Sequence, residues 1–100
     1  MAKLIKKKDT WNLDLTLAKY IRKVLKQYVK DCNKVVDLSY YKFNFHNKEI
    51  TEKEAISYII KKCKEYEKKD EVSLKKEEKI TKKMQEAMHL LADIFPTLWW

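Results

Sequence analysis

The chain has 100 residues, 38% of them charged, and a formal net charge of +8. It contains no glycine and a single proline, Pro96; because glycine supplies the positive φ of tight hairpins and phosphate-binding loops, this composition argues against a β-sandwich, a P-loop enzyme and a Rossmann domain. A chain of this length builds one core, so we expect an all-α fold: a three-helix domain with an extended aromatic loop between helices 1 and 2.

Residues 1–9 are predicted to be a basic, flexible lead-in, followed by a single helical domain over residues 10–100. The lead-in lacks the apolar core of a secretory signal peptide. No apolar run in the sequence approaches the length of a membrane span. We therefore expect a cytoplasmic protein with no membrane contact.

The first helix is predicted to begin near residues 10–12 and to end near Asn33. Its apolar residues recur with helical spacing, and the predicted stripe comprises Trp11, Ala18, Ile21, Leu25, Tyr28 and Cys32. This stripe is widened by Leu17, Val24 and Val29. The other side of the helix is basic and carries Lys19, Arg22, Lys23, Lys26 and Lys30.

Asp14 is a carboxylate on this apolar stripe, where burial without a partner would be costly. It has two interpretations. As a structural residue, it benefits from the first-turn position and accepts a hydrogen bond from a tryptophan or from a lysine of a neighbouring helix. As a functional residue, it binds the amine or hydroxyl of a ligand.

Residues 35–48 break the helical period and are rich in β-branched and aromatic residues. No second strand-like run is evident, so we expect a loop over the helices, the alternative being a strand that pairs with its own copy in a dimer. Within this segment Tyr40, Tyr41 and Lys42 combine aromatic and basic groups. Such residues can stack on and neutralise a nucleotide, although an ordinary half-buried loop has the same composition.

The second helix has the clearest start signal, because Thr51 and Glu54 fit a capping box. Its predicted apolar face comprises Ala55, Ile56, Ile59, Ile60, Cys63 and Tyr66. Ser73 is the predicted N-cap of the third helix, and Pro96 is expected to stop it. The predicted apolar stripe of this helix comprises Ile80, Met84, Ala87, Met88, Leu91, Ile94 and Phe95. Cys32 and Cys63 are expected to be core thiols rather than a disulfide or metal ligands. Near the C-terminus, Trp99 has two interpretations. It either folds back onto helix 1 and closes the core, or it serves as an interface anchor or stacks on a base.

Three motifs resemble a known family of small tailed-phage proteins. They run from Trp11 through Asp14 to Leu25, from Glu49 to Glu54, and from Glu86 to Trp99. The family reads W-x-L-D-x-x-L-A near its N-terminus and F-x-x-L-W near its C-terminus. This chain departs from it at Ala55, Ala87 and Pro96, where the family commonly has tryptophan, glycine and an aromatic residue. The resemblance implies a phage-encoded accessory protein in the cytoplasm of the bacterial host.

The function predicted from these observations is binding rather than catalysis, since no triad, paired carboxylates or metal-ligand spacing is evident. We expect no enzyme activity, no cofactor and no metal site. The positive charge favours an anionic partner: a nucleotide, a nucleic acid or the acidic face of a host protein. Together with the phage-like motifs, it suggests a protein that antagonises bacterial defence by capturing a nucleotide signal or a host effector that binds nucleic acid. The candidate ligand-binding residues are Trp11, Asp14, Lys19, Arg22, Lys26, Tyr40, Tyr41, Lys42 and Trp99.

Three further expectations accompany this prediction. Apolar surface that three helices cannot hide predicts a homo-oligomer. One alternative function is a structural or assembly accessory that contacts only phage proteins. The other is non-specific nucleic-acid binding, with a steep dependence on salt.

Overall fold

The computed structural model describes residues 12–32, 38 and 40–98. In chain order these residues form α1 (Leu13–Cys32), β1 (Lys42–Phe45), β2 (Lys48–Thr51), α2 (Glu52–Tyr66) and α3 (Leu74–Ile94). Short 3-10 turns follow α2 and α3, at Lys69–Glu71 and Phe95–Thr97. The lead-in over residues 1–9, Trp11, Trp99 and Trp100 lie outside the described residues, as does Asn33.

The predicted helix starts are confirmed by their hydrogen bonds. The Thr51 hydroxyl accepts from the Glu54 amide at 3.2 Å, and the Glu54 carboxylate accepts from the Thr51 amide at 2.8 Å, which completes the capping box of α2. The Ser73 hydroxyl accepts from the Lys76 amide at the start of α3. Each cap satisfies backbone donors that have no partner within the helix.

The prediction of a purely all-α fold with an unpaired loop is wrong over residues 42–51, which form an antiparallel β-hairpin. Its register pairs Phe43 with Ile50 and Phe45 with Lys48. The two-residue turn consists of His46 and Asn47, with φ of 53° and 60°. Such a turn requires positive φ at both positions, a role usually filled by Asn-Gly; here histidine and asparagine, which tolerate this region better than most residues, replace glycine.

The core is organised around α2, which packs against both α1 and α3. Every apolar residue of α2 on the predicted face is buried, except for the half-buried Ile60. The hairpin packs on the α2–α3 side, where Phe45 meets Tyr58 edge to face at a centroid distance of 4.8 Å. Cys32 and Cys63 are free, fully buried thiols, which confirms their assignment to the core.

Four apolar residues differ from the predicted stripes. Leu17 and Val24, which were expected to widen the core stripe of α1, are exposed. Phe95, expected on the α3 stripe, is 68% exposed, whereas Leu90, absent from that stripe, is buried. Leu17 and Val24 are exposed because α1 contributes to the core chiefly through Ala18, Leu25 and Cys32. These three residues recur every seven positions and leave the neighbouring apolar positions of α1 outside the core.

Candidate functional site

The most unusual surface of the molecule is an apolar strip on α1. It consists of Leu13, Leu17, Tyr20 and Val24, which are between 43% and 65% exposed. Their spacing of four, three and four residues places them on one side of the helix, next to the side that enters the core. Isolated exposed apolar residues are common, but a contiguous row of them is a candidate interaction surface.

A groove runs between this apolar strip and α3. One hollow of about 210 Å³ is lined by Leu17, Ile21, Met84 and Met88, with Asp14 and Tyr66 at its end. A second hollow of about 160 Å³ shares Ile21 and is lined by Leu91 of α3 and by Phe95 of the 3-10 turn that follows it. Because the two hollows follow each other from Asp14 to Leu25, the α1–α3 groove extends for about 16 Å along α1.

A row of lysines runs along α1, on the side of the apolar strip that faces away from the groove. The lysine row comprises Lys19, Lys23, Lys26 and Lys30. All four are exposed, and none has an ion-pair partner among the described residues. Helical spacing places them within one sector of α1, so their ammonium groups present positive charge beside an apolar surface.

Arg22, a predicted ligand contact, is engaged within the chain. Its Nε donates to the Glu67 carboxylate at 2.5 Å and its Nη2 donates to the same group at 3.0 Å. This two-pronged geometry raises the pKa of the guanidinium and ties α1 to the end of α2. The chain's single arginine therefore connects two helices.

Asp14 lies at the end of the groove in a three-residue network. Its Oδ2 accepts from the Tyr66 hydroxyl at 2.6 Å and from the Lys69 ammonium at 2.9 Å, and Lys69 also donates to the Tyr66 oxygen at 2.9 Å. These bonds lower the pKa of Asp14 to about 2. The structural interpretation of Asp14 named a lysine of a neighbouring helix, whereas Lys69 lies in the 3-10 turn that follows α2.

Tyr40, Tyr41 and Lys42 lie at the opposite end of α2 from Asp14. The two tyrosines are exposed and form an edge-to-face pair with a centroid distance of 5.2 Å. The Tyr41 carbonyl accepts from the amide of Glu52, the first residue of α2, whereas Asp14 contacts Tyr66, the last one. These positions are about 21 Å apart along the helix, so the predicted ligand residues do not converge on one site.

Glu52 is a buried carboxylate that the sequence did not single out as a site residue. It is 2% exposed, and its Oε2 has no hydrogen-bond partner among the residues that the structure describes. Burial raises its pKa, although the nearby Thr97 side chain opposes part of that rise. The Thr97 hydroxyl has one proton and lies 2.7 Å from the Ile94 carbonyl, which competes for it. Nothing in the sequence distinguishes Glu52 from an ordinary first-turn acid, because its burial depends on distant segments.

The titratable groups of the described residues have few features of a reactive centre. Burial raises the pKa of Cys63 to about 11, so its thiol stays protonated at neutral pH. Burial and the bond to Asp14 raise the pKa of the Tyr66 hydroxyl. Across residues 12–32, 38 and 40–98, no three His, Cys, Asp or Glu side chains come together as metal ligands.

Comparison with known proteins adds no relative. No protein-family model, curated protein or solved structure matches the chain. Within the part of the chain that the structure describes, every helix is too short or too polar to cross a lipid bilayer.

Proposed function

We propose that this chain is a non-enzymatic binding protein that captures an anionic partner through the basic side of α1. The observation that carries the proposal is the lysine row, in which Lys19, Lys23, Lys26 and Lys30 are exposed and form no ion pair with any residue that the structure describes. Unpaired charges of one sign along a helix attract and orient a partner of the opposite sign. Other basic residues, such as Arg22 and Lys69, instead form ion pairs within the fold.

The chemistry of the remaining groups supports binding over catalysis. A general base works best with a pKa near the operating pH, whereas the pKa of Asp14 is about 2. A nucleophilic thiol has to be accessible and readily ionised, whereas Cys63 is buried and has a pKa of about 11. Both groups fit structural roles.

The biological setting is also a proposal, and it depends on the resemblance to small tailed-phage proteins. In that setting the chain is encoded by a phage and acts in the cytoplasm of the bacterial host. Its anionic target is either a nucleotide signal or an acidic surface of a defence protein, and capture would block the defence. The same charge would also serve an assembly accessory that contacts phage proteins, so the test includes a defence readout.

The test compares charge reversal on two helices. Lys19, Lys23 and Lys26 are replaced by glutamate in one variant, and Lys75, Lys79 and Lys82 of α3, which are equally exposed, in the matched control. The wild-type chain and both variants are produced in bacteria that carry a defence system, and phage plating efficiency is measured. Binding to a cyclic dinucleotide, a single-stranded oligonucleotide and poly-glutamate is measured in parallel.

We expect the wild type and the α3 control to relieve defence and to bind at least one anionic probe, and the α1 variant to lose both properties. Equal losses in the two variants would mean that only net charge matters. Full activity of the α1 variant, or no effect of the wild type in either assay, would contradict the proposal.

A further inference from the structure

The apolar strip on α1 has the spacing of a coiled-coil seam. Its four residues follow one another at intervals of four, three and four. Helices with apolar residues at these intervals pair side by side, because each apolar side chain packs into a hole between residues of the facing helix. No described segment covers the strip, whose residues are between 43% and 65% exposed. The strip therefore has the pattern of one half of a helix–helix contact.

The spacing of the strip reads the same in both directions along α1. A second copy of α1, running antiparallel about a two-fold axis at the middle of the strip, therefore matches it residue for residue. In this arrangement Leu13 of one copy lies opposite Val24 of the other, and Leu17 lies opposite Tyr20. Two-fold dimers are the commonest symmetric assemblies, and they require a self-complementary surface of this kind.

The positive charge of α1 is compatible with antiparallel pairing. The lysine row is centred about 120° round the helix from the apolar strip, so it points away from a copy packed on the strip. In the antiparallel arrangement Lys19 is level with Ala18 of the other copy and Lys23 with Asp14, so the two lysine rows are displaced from each other along the helix. The remaining repulsion between two chains of net charge +8 is of the exposed, long-range kind that salt screens.

The size of the surface indicates a weak dimer. Phe95, which is 68% exposed, faces Val24 across the second hollow and extends the strip. Together these residues offer on the order of 500 Å² of apolar surface per copy, so a dimer would bury on the order of 1,000 Å², which is near the lower limit for a specific interface. We therefore expect association that is reversible and depends on protein concentration.

We infer that the apolar strip is a self-association surface on which α1 of a second copy packs antiparallel. Leu13 of the second copy enters the hollow that Val24 and Phe95 line. The inference goes beyond the proposed function and does not depend on it, because both lysine rows stay on the outside of the dimer. A single polyanion could contact both rows, and the dimer would then bind it with higher avidity than the monomer does.

Disulfide cross-linking tests the antiparallel register. Leu13→Cys and Val24→Cys are prepared as separate variants, and each variant and their mixture are oxidised under mild conditions. The native Cys32 and Cys63 are fully buried, so the introduced thiols react first. Leu74→Cys, at an exposed position of α3 away from the strip, measures cross-linking by random collision.

We expect a cross-linked dimer only in the mixture. Antiparallel pairing brings positions 13 and 24 together but holds the two copies of position 13 at least about 16 Å apart, which is beyond the reach of a disulfide. Cross-linking of Leu13→Cys with itself, or a mixture that reacts no more than Leu74→Cys, would overturn the inference.

Sedimentation of the full chain over a range of concentrations tests the strip itself. Leu17→Glu places a charge on the strip, and Leu74→Glu is the matched change at an exposed leucine outside it; circular dichroism checks that both variants fold. The wild type and Leu74→Glu should dimerise with equal affinity, and Leu17→Glu at least about tenfold more weakly. A wild type that stays monomeric would mean that something other than a second copy covers the strip, and equal dimerisation of all three proteins would place the contact elsewhere; either result refutes the inference.

Salt separates this inference from the proposed function. Raising the salt concentration from about 0.1 M to about 1 M shortens the screening length from about 10 Å to about 3 Å. The dimer should become tighter, because the repulsion between its like-charged copies is screened, whereas binding of poly-glutamate to the lysine row should weaken. A dimer that dissociates in salt is held by charge rather than by the strip, which contradicts the inference. A protein that dimerises as expected but binds no anionic probe would refute only the proposed function.

Discussion

The α2–α3 side and the α1–α3 side of the molecule carry similar apolar residues, but among residues 12–32, 38 and 40–98 only the first is covered by a further segment. The β-hairpin lies over the α2–α3 side, where Phe43, Phe45 and Ile50 pack against the core. On the α1–α3 side, Leu17 and Val24 remain exposed beside the groove. The comparison shows that an apolar helical position becomes core only where another segment lies over it, and otherwise stays exposed.

The two regions also shift the pKa of a carboxyl group in opposite directions. Glu52, whose backbone amide donates to the Tyr41 carbonyl just before the hairpin, is 2% exposed, and one of its carboxylate oxygens has no partner among the described residues. Its burial raises its pKa. Asp14, at the end of the open groove, is 46% exposed and accepts two strong hydrogen bonds, so its pKa is lowered. Hydrogen-bond donors and access to water together decide which form of the acid the fold stabilises.

The largest difference in stability between the two regions should appear when one apolar side chain is removed from each of them. Phe45→Ala removes a ring that packs against Tyr58 and should lower the free energy of unfolding by about 2 kcal/mol, less than for a fully buried phenylalanine. Leu17→Ala should change it by no more than about 0.5 kcal/mol, as expected of an exposed position. Urea denaturation followed by circular dichroism measures both, and similar losses would mean that the α1–α3 side is as well packed as the hairpin side.

A smaller effect of opposite sign is expected at Glu52. Glu52→Gln removes a buried charge and should raise the free energy of unfolding at pH 7 by about 1 kcal/mol. Glu54→Gln, in the same turn but exposed, is the control and should have almost no effect, because glutamine also completes a capping box.

The dependence on pH follows from the raised pKa of Glu52. As pH rises from its ordinary pKa of 4.5, the unfolded chain ionises first, which favours unfolding. The wild type therefore loses stability relative to Glu52→Gln until the folded-state pKa is passed, and the difference is constant above it. An advantage of Glu52→Gln that persisted undiminished below the ordinary pKa would show that the charge is not its cause.

The smallest effect is expected at Asp14, because this carboxylate is nearly half exposed. Asp14→Asn should lower the free energy of unfolding at neutral pH by less than about 1 kcal/mol. The pKa is lowered from 3.8 to about 2, so the contribution is present above pH 3.8 and disappears as pH falls towards 2. Acid titration of the unfolding free energy measures this, with Glu78→Gln as an exposed control; a difference that grew on acidification would contradict the assignment.

The candidate site was only partly predictable from the sequence. Lys19 and Lys26 were identified by their spacing, and they lie on the exposed lysine row as expected of one side of a helix. The prediction that Leu17 and Val24 widen the core stripe is wrong, because both are exposed. The spacing of the apolar residues on α1 already argued against it. The buried series Ala18, Leu25 and Cys32 already repeats every seven residues, and Leu17 and Val24 form a second series one position earlier.

By itself, the sequence determined the three helices and the caps of α2 and α3. These features depend on helical periodicity and on short-range hydrogen bonds such as the one between Thr51 and Glu54, which neighbouring residues supply. Only the tertiary structure decided the rest. The hairpin, the burial of Glu52 and the exposure of the apolar strip depend on which distant segments meet, and the free energy of burying a side chain is set by those neighbours rather than by the residue itself.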